Sequence, residues 1–230
     1  MQGKRISVII PTLDEEERIG GLIDVLRDGG FDDIIVADGA SDDSTVKIAR
    51  ARGAEIVEAA RGRGSQLRAG AAAATGDVLF FLHADCTPPE GARAAILETL
   101  SAPGVAAGSF SLAFDCPHAL LRFYGAMSRL NHGLLTYGDQ GLFLTRAAYA
   151  RVGGFSAVPL FEDVDILRRL RRIGRVLKRP EPMMTSARRF LRDGMARREL
   201  KNVALVTLYH CGAPPRLLAR WYGAARAARE

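Results

Sequence analysis

Asp77-Val78-Leu79-Phe80-Phe81-Leu82-His83-Ala84-Asp85 is the stretch on which the fold turns. It follows a Thr75-Gly76 break, runs through a continuous apolar segment and ends abruptly on polar groups. A short apolar run without polar alternation, bounded by a turn signal, suits a strand covered on both faces, as in a parallel sheet. Ligands of open α/β sheets gather beyond the carboxyl ends of such strands. His83 and Asp85 lie two residues apart at that exit, so both can point into the same crevice. Asp85 would equally suit a turn, or a cap for the helix after Pro88-Pro89. Three other stretches that end in the same way separate the two readings.

Working outward, Arg5–Ile10 is a β-rich run stopped by Pro11. Asp14-Glu15-Glu16-Glu17 then offers a helix N-cap with Glu three residues on, and Ile19, Leu22, Ile23 and Leu26 follow at helical spacing. Asp33–Ala37 reads as a second strand, ending at Asp38-Gly39-Ala40-Ser41-Asp42-Asp43-Ser44-Thr45, where Asp42 or Asp43 is placed to cap the next helix. A third strand, Ala54–Val57, leads to Arg61-Gly62-Arg63-Gly64-Ser65-Gln66-Leu67-Arg68 and an Ala-rich helix. The β-α-β-α-β-α-β alternation predicts an α/β fold whose mostly parallel sheet is flanked by helices. The strands leave at Pro11-Thr12, Asp38, Arg63 and His83/Asp85, all on one edge. That convergence predicts a site.

Beyond it, the pattern predicts a helix over Pro88–Leu100, a strand over Gly108–Phe114, an amphipathic helix over 117–135 and a buried strand at Gly141–Leu144. Phe161-Glu162-Asp163-Val164-Asp165 opens a helix in which Ile166, Leu170 and Ile173 share a face. Its carboxylates either complement the helix dipole or do chemistry. A short β-like segment follows Gly174, and two helices are expected around Pro214-Pro215. The organisation expected is a catalytic domain over 1–190 and a helical C-terminal extension over 191–230.

With 48% hydrophobic and 25% charged residues in 230, the chain can bury a sizeable core. The net charge of +6 hides an asymmetry: residues 116–230 hold 21 Lys+Arg against 8 Asp+Glu. Such a half attracts nucleoside diphosphate, nucleic acid or anionic lipid unless its arginines are only solvated helix faces. Three cysteines without metal-type spacing suggest a reducing compartment. No apolar run reaches the roughly 18–20 residues that span a bilayer, and no signal-peptide pattern is visible. A cytoplasmic protein is expected, with peripheral contact to a membrane left open. The sequence lacks a P-loop, a Gly-x-Gly-x-x-Gly after the first strand, and a Gly-x-Ser-x-Gly elbow. Its four histidines have no zinc-ligand spacing.

Four fragments carry a resemblance: Val8-Ile9-Ile10-Pro11-Thr12-Leu13-Asp14-Glu15-Glu16, Asp38–Thr45, His83-Ala84-Asp85 and Glu162-Asp163. In this order and at these separations they resemble the family-2 inverting glycosyltransferases of GT-A fold, over roughly residues 5–190. Tyr137-Gly138-Asp139-Gln140-Gly141, the Glu162–Asp165 helix and Thr185-Ser186-Ala187-Arg188-Arg189 resemble a small bacterial subgroup often linked to arsenosugar or similar pathways. The resemblance implies a Rossmann-type, GT-A sheet and single-sugar transfer from a nucleotide-diphosphate sugar, UDP first among them, to a hydroxyl of a small or lipidic acceptor. It implies that Pro11, Thr12, Leu13 and Glu15 line the base and ribose pocket, and that Asp38 accepts hydrogen bonds from the base. Asp85 corresponds to the last carboxylate of the family's Asp-x-Asp motif, the ligand of Mn²⁺ or Mg²⁺. Such an ion stabilises charge developing on the departing diphosphate.

Asp163 corresponds to the general base. A helix N-terminus would weaken it, whereas burial near Glu162 and Asp165 would strengthen it. The chain also departs from the family. His83 stands where the first Asp of Asp-x-Asp is usual, and Leu67-Arg68 replaces an Arg-Asn pair. Arg63, Gln66 or Arg68 would then serve the diphosphate; Asp139, Gln140, Glu162, Arg188 and Arg189 are further candidates for diphosphate or acceptor. The Gln-x-x-Arg-Trp signature of processive synthases is absent. A sugar nucleotidyltransferase and a non-catalytic basic nucleotide- or membrane-binding module are the alternatives. Nucleic acid is not an expected partner. Apolar stripes in 117–135 and 203–222 suit an acceptor floor, a lipid surface, core packing or a homodimer seam.

Overall fold

A computed structural model describes residues 3–130, 138–156, 158 and 160–187, with 204–205, 207–209, 212–214 and 217–218. Its centre is an eight-stranded sheet. The first half is β1 (Ile6–Thr12), β2 (Asp33–Asp38), β3 (Glu55–Glu58) and β4 (Val78–Phe81), joined by helices α1 (Glu16–Asp28), α2 (Thr45–Ala51) and α3 (Arg63–Ala73). These strands pair in parallel, β1 lying between β2 and β4. β1, β2 and β4 are almost wholly buried, as parallel strands under helices on both faces must be. The three predicted crossovers and the predicted edge of exits are present.

The second half is β5 (Cys86–Thr87), α4 (Ala92–Ser101), β6 (Val105–Phe114), α5 (Ala119–Ser128), β7 (Leu142–Thr145), α6 (Arg146–Arg151), α7 (Glu162–Leu170) and β8 (Arg175–Thr185). Here the sheet is mixed. β7 runs antiparallel to both β4 and β6, β8 is parallel to β6, and β5 pairs antiparallel with the end of β8. The full order is β3-β2-β1-β4-β7-β6-β8-β5. Four of the seven pairings are parallel and only β5 and β7 run against the other strands, so the sheet is mostly parallel, as expected.

Two apolar layers hold the sheet. Residues of α1, α2 and α4 cover one face, with Phe80, Phe110 and Phe143 at its heart; α3, α6 and α7 cover the other, around Leu79, Phe81 and Leu144. The fragments around Leu205 and Leu218 pack on Phe161 and Val164 at the start of α7.

Several local expectations are corrected. The segment after Gly174 is an eleven-residue strand rather than a short one. Its register on β6 shifts between Phe110 and Ser111, where Pro180-Glu181 bulge out and Ser111 Oγ donates to the Pro180 carbonyl at 2.8 Å. Two prolines make such a strand look broken in sequence, because proline cannot donate to a ladder. Asp14 does not cap α1. It adopts a left-handed conformation (φ 54°), and its Oδ1 accepts from Asp42 N at 2.9 Å. α5 ends at Ser128, and the rest of the helix expected over 117–135 lies partly outside the described residues.

Candidate active site

The loops after β1 and β2 are laced together. Besides the Asp42–Asp14 bond, Asp14 N donates to Ser41 Oγ, Glu15 N to Thr45 Oγ1, Glu16 N to Asp43 Oδ2 and Ser44 N to Glu16 Oε2, all within 2.8–3.0 Å. Asp38, at the tip of β2, is 3% exposed. It accepts from Thr12 Oγ1 at 2.9 Å, from Ser41 N at 2.8 Å and from Ser41 Oγ at 2.6 Å. Such donors hold a buried carboxylate in one orientation. Glu15 is largely covered and accepts from Arg18 at 3.2 Å. Pro11 and Leu13 are half-buried beside them. The first two loops thus form one rigid, acidic wall.

Gln66 serves that wall differently from expectation. Its Nε2 donates to the carbonyls of Thr12 (2.6 Å) and Ala37 (3.0 Å), so both amide hydrogens tie the ends of β1 and β2 together. The amide then offers a diphosphate nothing but an acceptor oxygen. Arg68 is exposed, and its charge is felt at Tyr149 of α6. Because β7 runs antiparallel to β4, α6 stands at the far end of the sheet from His83 and Asp85. The structure therefore turns the Gln66 amide hydrogens to the strand ends and sets Arg68 toward Tyr149, while Arg63 stands at the start of α3.

Arg63 begins α3, and its Nε donates to Glu162 Oε1 at the start of α7. Glu162 is 2% exposed. The two helix starts meet because Gly64 has no side chain: a Cβ there would sit 3.0 Å from Ser156 O and 3.5 Å from Glu162 Cβ. Phe161, just before α7, is left-handed (φ 65°), an uncommon conformation for a bulky residue. Its ring lies on Tyr209 with centroids 4.8 Å apart. Asp163 is 8% exposed, and its Oδ1 accepts from Val164 N at 2.8 Å. Asp165, expected to share the acidic environment of Asp163, instead takes Ser156 Oγ at 2.6 Å and Arg169 at 2.8 Å, anchoring the preceding loop.

Asp139 completes the cluster. It sits in a single 3₁₀ turn, Gly138–Gln140, directly before β7. Gly141 makes the tight return: it has φ 63°, and a Cβ there would lie 2.5 Å from Met183 Cε and 2.9 Å from Phe80. Asp139 Oδ1 is sealed from solvent with no hydrogen-bond partner. Burial first, then the charges of Asp163 and Asp85, push the Asp139 carboxyl up to about 7, against the pull of Arg63 and Lys178. One turn thus stands within electrostatic reach of both Asp85 and Asp163, which lie 78 positions apart in the chain.

Two partners were not singled out in the sequence. The Cys86 thiol donates to Asp85 Oδ1 and to the Asp139 carbonyl, each at 3.5 Å, and lies 3.0 Å from Thr185 Oγ1. Burial, then Asp85 and Asp139, push that thiol well above its usual pKa, so it stays protonated and links the two acidic turns. Lys178 on β8 donates to Gln140 Oε1, and burial pushes its ammonium down to about 7 although Asp139 opposes the shift. Only a long-range strand pairing brings either residue here. His83 and Ala84 lie in the turn between β4 and β5, closed by Cys86 N to His83 O at 3.1 Å. Arg188 and Arg189 lie outside the described residues.

The cluster suits a divalent cation. Asp85, Asp139, Asp163 and Glu162 face the cationic charge of Arg63 and Lys178, and one enclosed carboxylate oxygen lacks a donor. Among the described residues no three His, Cys, Asp or Glu come together as a ready-made cage. An ion here would therefore take part of its coordination from a ligand's oxygens and water, as hard cations beside diphosphates do.

A mostly parallel sheet with its acidic turns along one edge is the architecture of the GT-A glycosyltransferases. The glucosyl-3-phosphoglycerate synthase of Mycobacterium tuberculosis, solved with phosphoglyceric acid, superposes with TM-score 0.65 over 92% of this chain and 81% of its own, at 22% identity. A mannosyltransferase from Pyrobaculum calidifontis, solved with GDP-Man and Mn²⁺, gives 0.64 over 80% of this chain and 56% of its own, also at 22%. At that identity the likeness speaks to fold.

Sequence carries the family: residues 7–153 match glycosyl transferase family 2, and the chain belongs to it. The glucosyl-3-phosphoglycerate synthases of Mycolicibacterium paratuberculosis and Mycolicibacterium smegmatis are each 37% identical, over 99 and 100 residues, or 38% of this chain and 30% and 33% of theirs. The chain thus spans about a third of the length of the curated relatives it matches. The M. tuberculosis synthase has also been solved with Mn²⁺, UDP and glucosyl-3-phosphoglycerate, and with Mg²⁺ and UDP. These relatives bear out the family and not the arsenosugar subgroup.

Proposed function

We propose that this chain moves one sugar from a nucleoside-diphosphate sugar, with UDP as the nucleotide, to a hydroxyl of a small or lipidic acceptor, inverting the anomeric centre. The observation that carries the reading is that Asp139 lies within electrostatic reach of both Asp85 and Asp163 at the carboxyl edge of the sheet that also holds the laced wall of Thr12, Glu15 and Asp38. The wall, with Pro11 and Leu13, receives base and ribose, and His83 and Ala84 face the ribose side. Arg63 neutralises part of the diphosphate while holding Glu162. Asp85 would hold Mn²⁺ or Mg²⁺, with Asp139 near enough to share it. When bound, the ion stabilises charge on the departing diphosphate.

Asp163 takes the proton from the acceptor hydroxyl as its oxygen attacks the anomeric carbon, a contribution of about 10²–10⁴ in rate. Its backbone contact to Val164 N fixes one carboxylate oxygen, so the base is aimed before the acceptor arrives. Attack from the face opposite the diphosphate gives inversion. Residues 1–190 form the catalytic unit and 191–230 a helical extension; in that extension Leu205 and Leu218 brace the start of α7. No helix among the described residues is long and apolar enough to cross a membrane. A cytoplasmic enzyme with peripheral membrane contact fits a lipidic acceptor. Self-association of the chain is a separate expectation of this reading.

The test is a thermal-shift screen of nucleotides and nucleotide-sugars with and without Mn²⁺, since a ligand of the native state raises the melting temperature. It is followed by sugar-nucleotide hydrolysis without acceptor. D85A should lose the metal-dependent shift and the hydrolysis. D163N should keep the shift and lose transfer. Transfer by D163N at the wild-type rate would refute the base assignment, and indifference to every nucleotide would refute the donor.

A further inference from the structure

α5 is apolar on two sides. Leu121 and Tyr124 turn to the core, as in an ordinary surface helix. Between them Gly125 lies so close to β6 that a Cβ would meet Leu112 O at 2.9 Å, and Ser128 Oγ accepts from Leu112 N at 2.8 Å. A second set of large side chains looks out. Phe123 is 64% exposed and Leu120 39%, three positions apart on the helix, and Leu130, two residues past its end, is 52% exposed. Ala119 and Ala126 continue the outward surface, and the exposed Arg122 and Arg129 flank it seven residues apart. Both arginines also line the rim of a cavity of about 260 Å³ between α5 and the end of β6, floored by Leu112, Phe114 and Leu121. No Asp or Glu occurs from Cys116 to Gly138.

We infer that the outward face of α5 docks on the surface of an anionic lipid bilayer. Apolar side chains flanked by arginines on a helix lying flat match the interfacial region, where side chains enter the acyl boundary and guanidiniums meet phosphates. Charge chooses the bilayer over a second copy of the chain. Two such faces would bring four arginines together with no acidic residue of either helix between them. An anionic surface supplies the counter-charge. The inference extends the lipidic-acceptor reading above, but the exposed apolar residues and arginines of this surface carry it independently.

The test is co-sedimentation of the full chain, without donor or metal, with vesicles of phosphatidylcholine alone and of phosphatidylcholine with phosphatidylglycerol. Binding is expected only to the anionic vesicles and should weaken with salt. R122Q/R129Q should lower the partition coefficient about 30-fold, from about tenfold per 1.4 kcal/mol and about 1 kcal/mol for each basic residue. F123S/L130S should lower it at least tenfold. Circular dichroism and nucleotide-induced thermal shift should be unchanged in both variants, which separates this inference from the donor reading. Absence of binding to anionic vesicles, equal binding by the variants, or a light-scattering mass that falls from dimer to monomer in F123S/L130S would overturn it.

Discussion

R63Q tests the joint between the two halves of the site. Glu162 is 2% exposed, and Arg63, 39% exposed at its side chain, is the ion-pair partner it receives from α3. Breaking a fully buried pair by removing one partner costs about 3–5 kcal/mol, because the remaining charge is stranded. A fully exposed pair is worth about 0–1 kcal/mol. With the carboxylate buried and the guanidinium open to water on one side, about 1–3 kcal/mol is expected for R63Q. In a chain of this size that lowers the melting temperature by about 2–12 °C, at roughly 2–4 °C per kcal/mol. E162Q should cost less, since a neutral amide oxygen still accepts from Arg63. R63Q/E162Q should be more stable than R63Q, because no buried charge is left without a partner. Scanning fluorimetry on all four proteins, without nucleotide or metal, gives the cycle. A melting temperature for R63Q within 1 °C of wild type, or a double variant less stable than R63Q, would refute the reasoning.

The other predictions rest on single sites. Asp139 keeps its proton in the folded protein up to about 7 while an unfolded chain loses it near 4, so its contribution to stability falls as pH rises through that window. D139N should therefore be more stable than wild type at pH 8 in metal-free buffer, and the gain should vanish by pH 4.5; a pH-independent difference in melting temperature would contradict this. G141A should destabilise by about 1–3 kcal/mol, since its backbone is left-handed and its Cβ would press on Met183 and Phe80; urea melts read the change, and wild-type stability would deny the close approach. T12V removes one donor from buried Asp38 and should cost about 1–3 kcal/mol. The same variant should weaken UDP binding in calorimetry, whereas unchanged affinity would free the Thr12–Asp38 pair from the nucleotide wall.

The first half of the fold was legible because each of its strands is local: an apolar run, a polar exit and a helix with its own period, repeated until one edge is defined. The second half was not. β5 is two residues long, and β8 carries two prolines and four charged side chains, so both exist through pairing with residues far off in the chain. The site divides along the same line. Asp38 and Asp85 were visible as strand tips, and Glu162-Asp163 as an acidic helix start. That Gln66 ties the ends of β1 and β2 and that Arg68 lies toward Tyr149 was hidden, because spacing along α3 does not say which of its faces meets strand ends. Cys86 and Lys178 had no local signal. A cysteine after Asp85 and a lysine in a charged strand look ordinary until β5 and β8 close over the Asp139 turn.

That division has a mechanical consequence. The parallel half is braced before any ligand arrives: ten hydrogen bonds cross-link Thr12, Asp14, Glu15, Glu16, Asp38, Gln66 and the loop from Ser41 to Thr45. The mixed half holds the residues assigned to the acceptor, and there the charges are out of balance. Asp139 is pushed up and Lys178 down toward the same value, both by burial, and Asp139 Oδ1 has no donor. On the reading proposed above, a site preorganised along the laced wall and electrostatically incomplete on the other side gains most from a cation arriving with a diphosphate, because that charge offsets the buried carboxylates. Binding order follows: donor and metal together should raise the melting temperature by more than the sum of their separate shifts, and additive shifts would mean that the acidic turns do not share the ion.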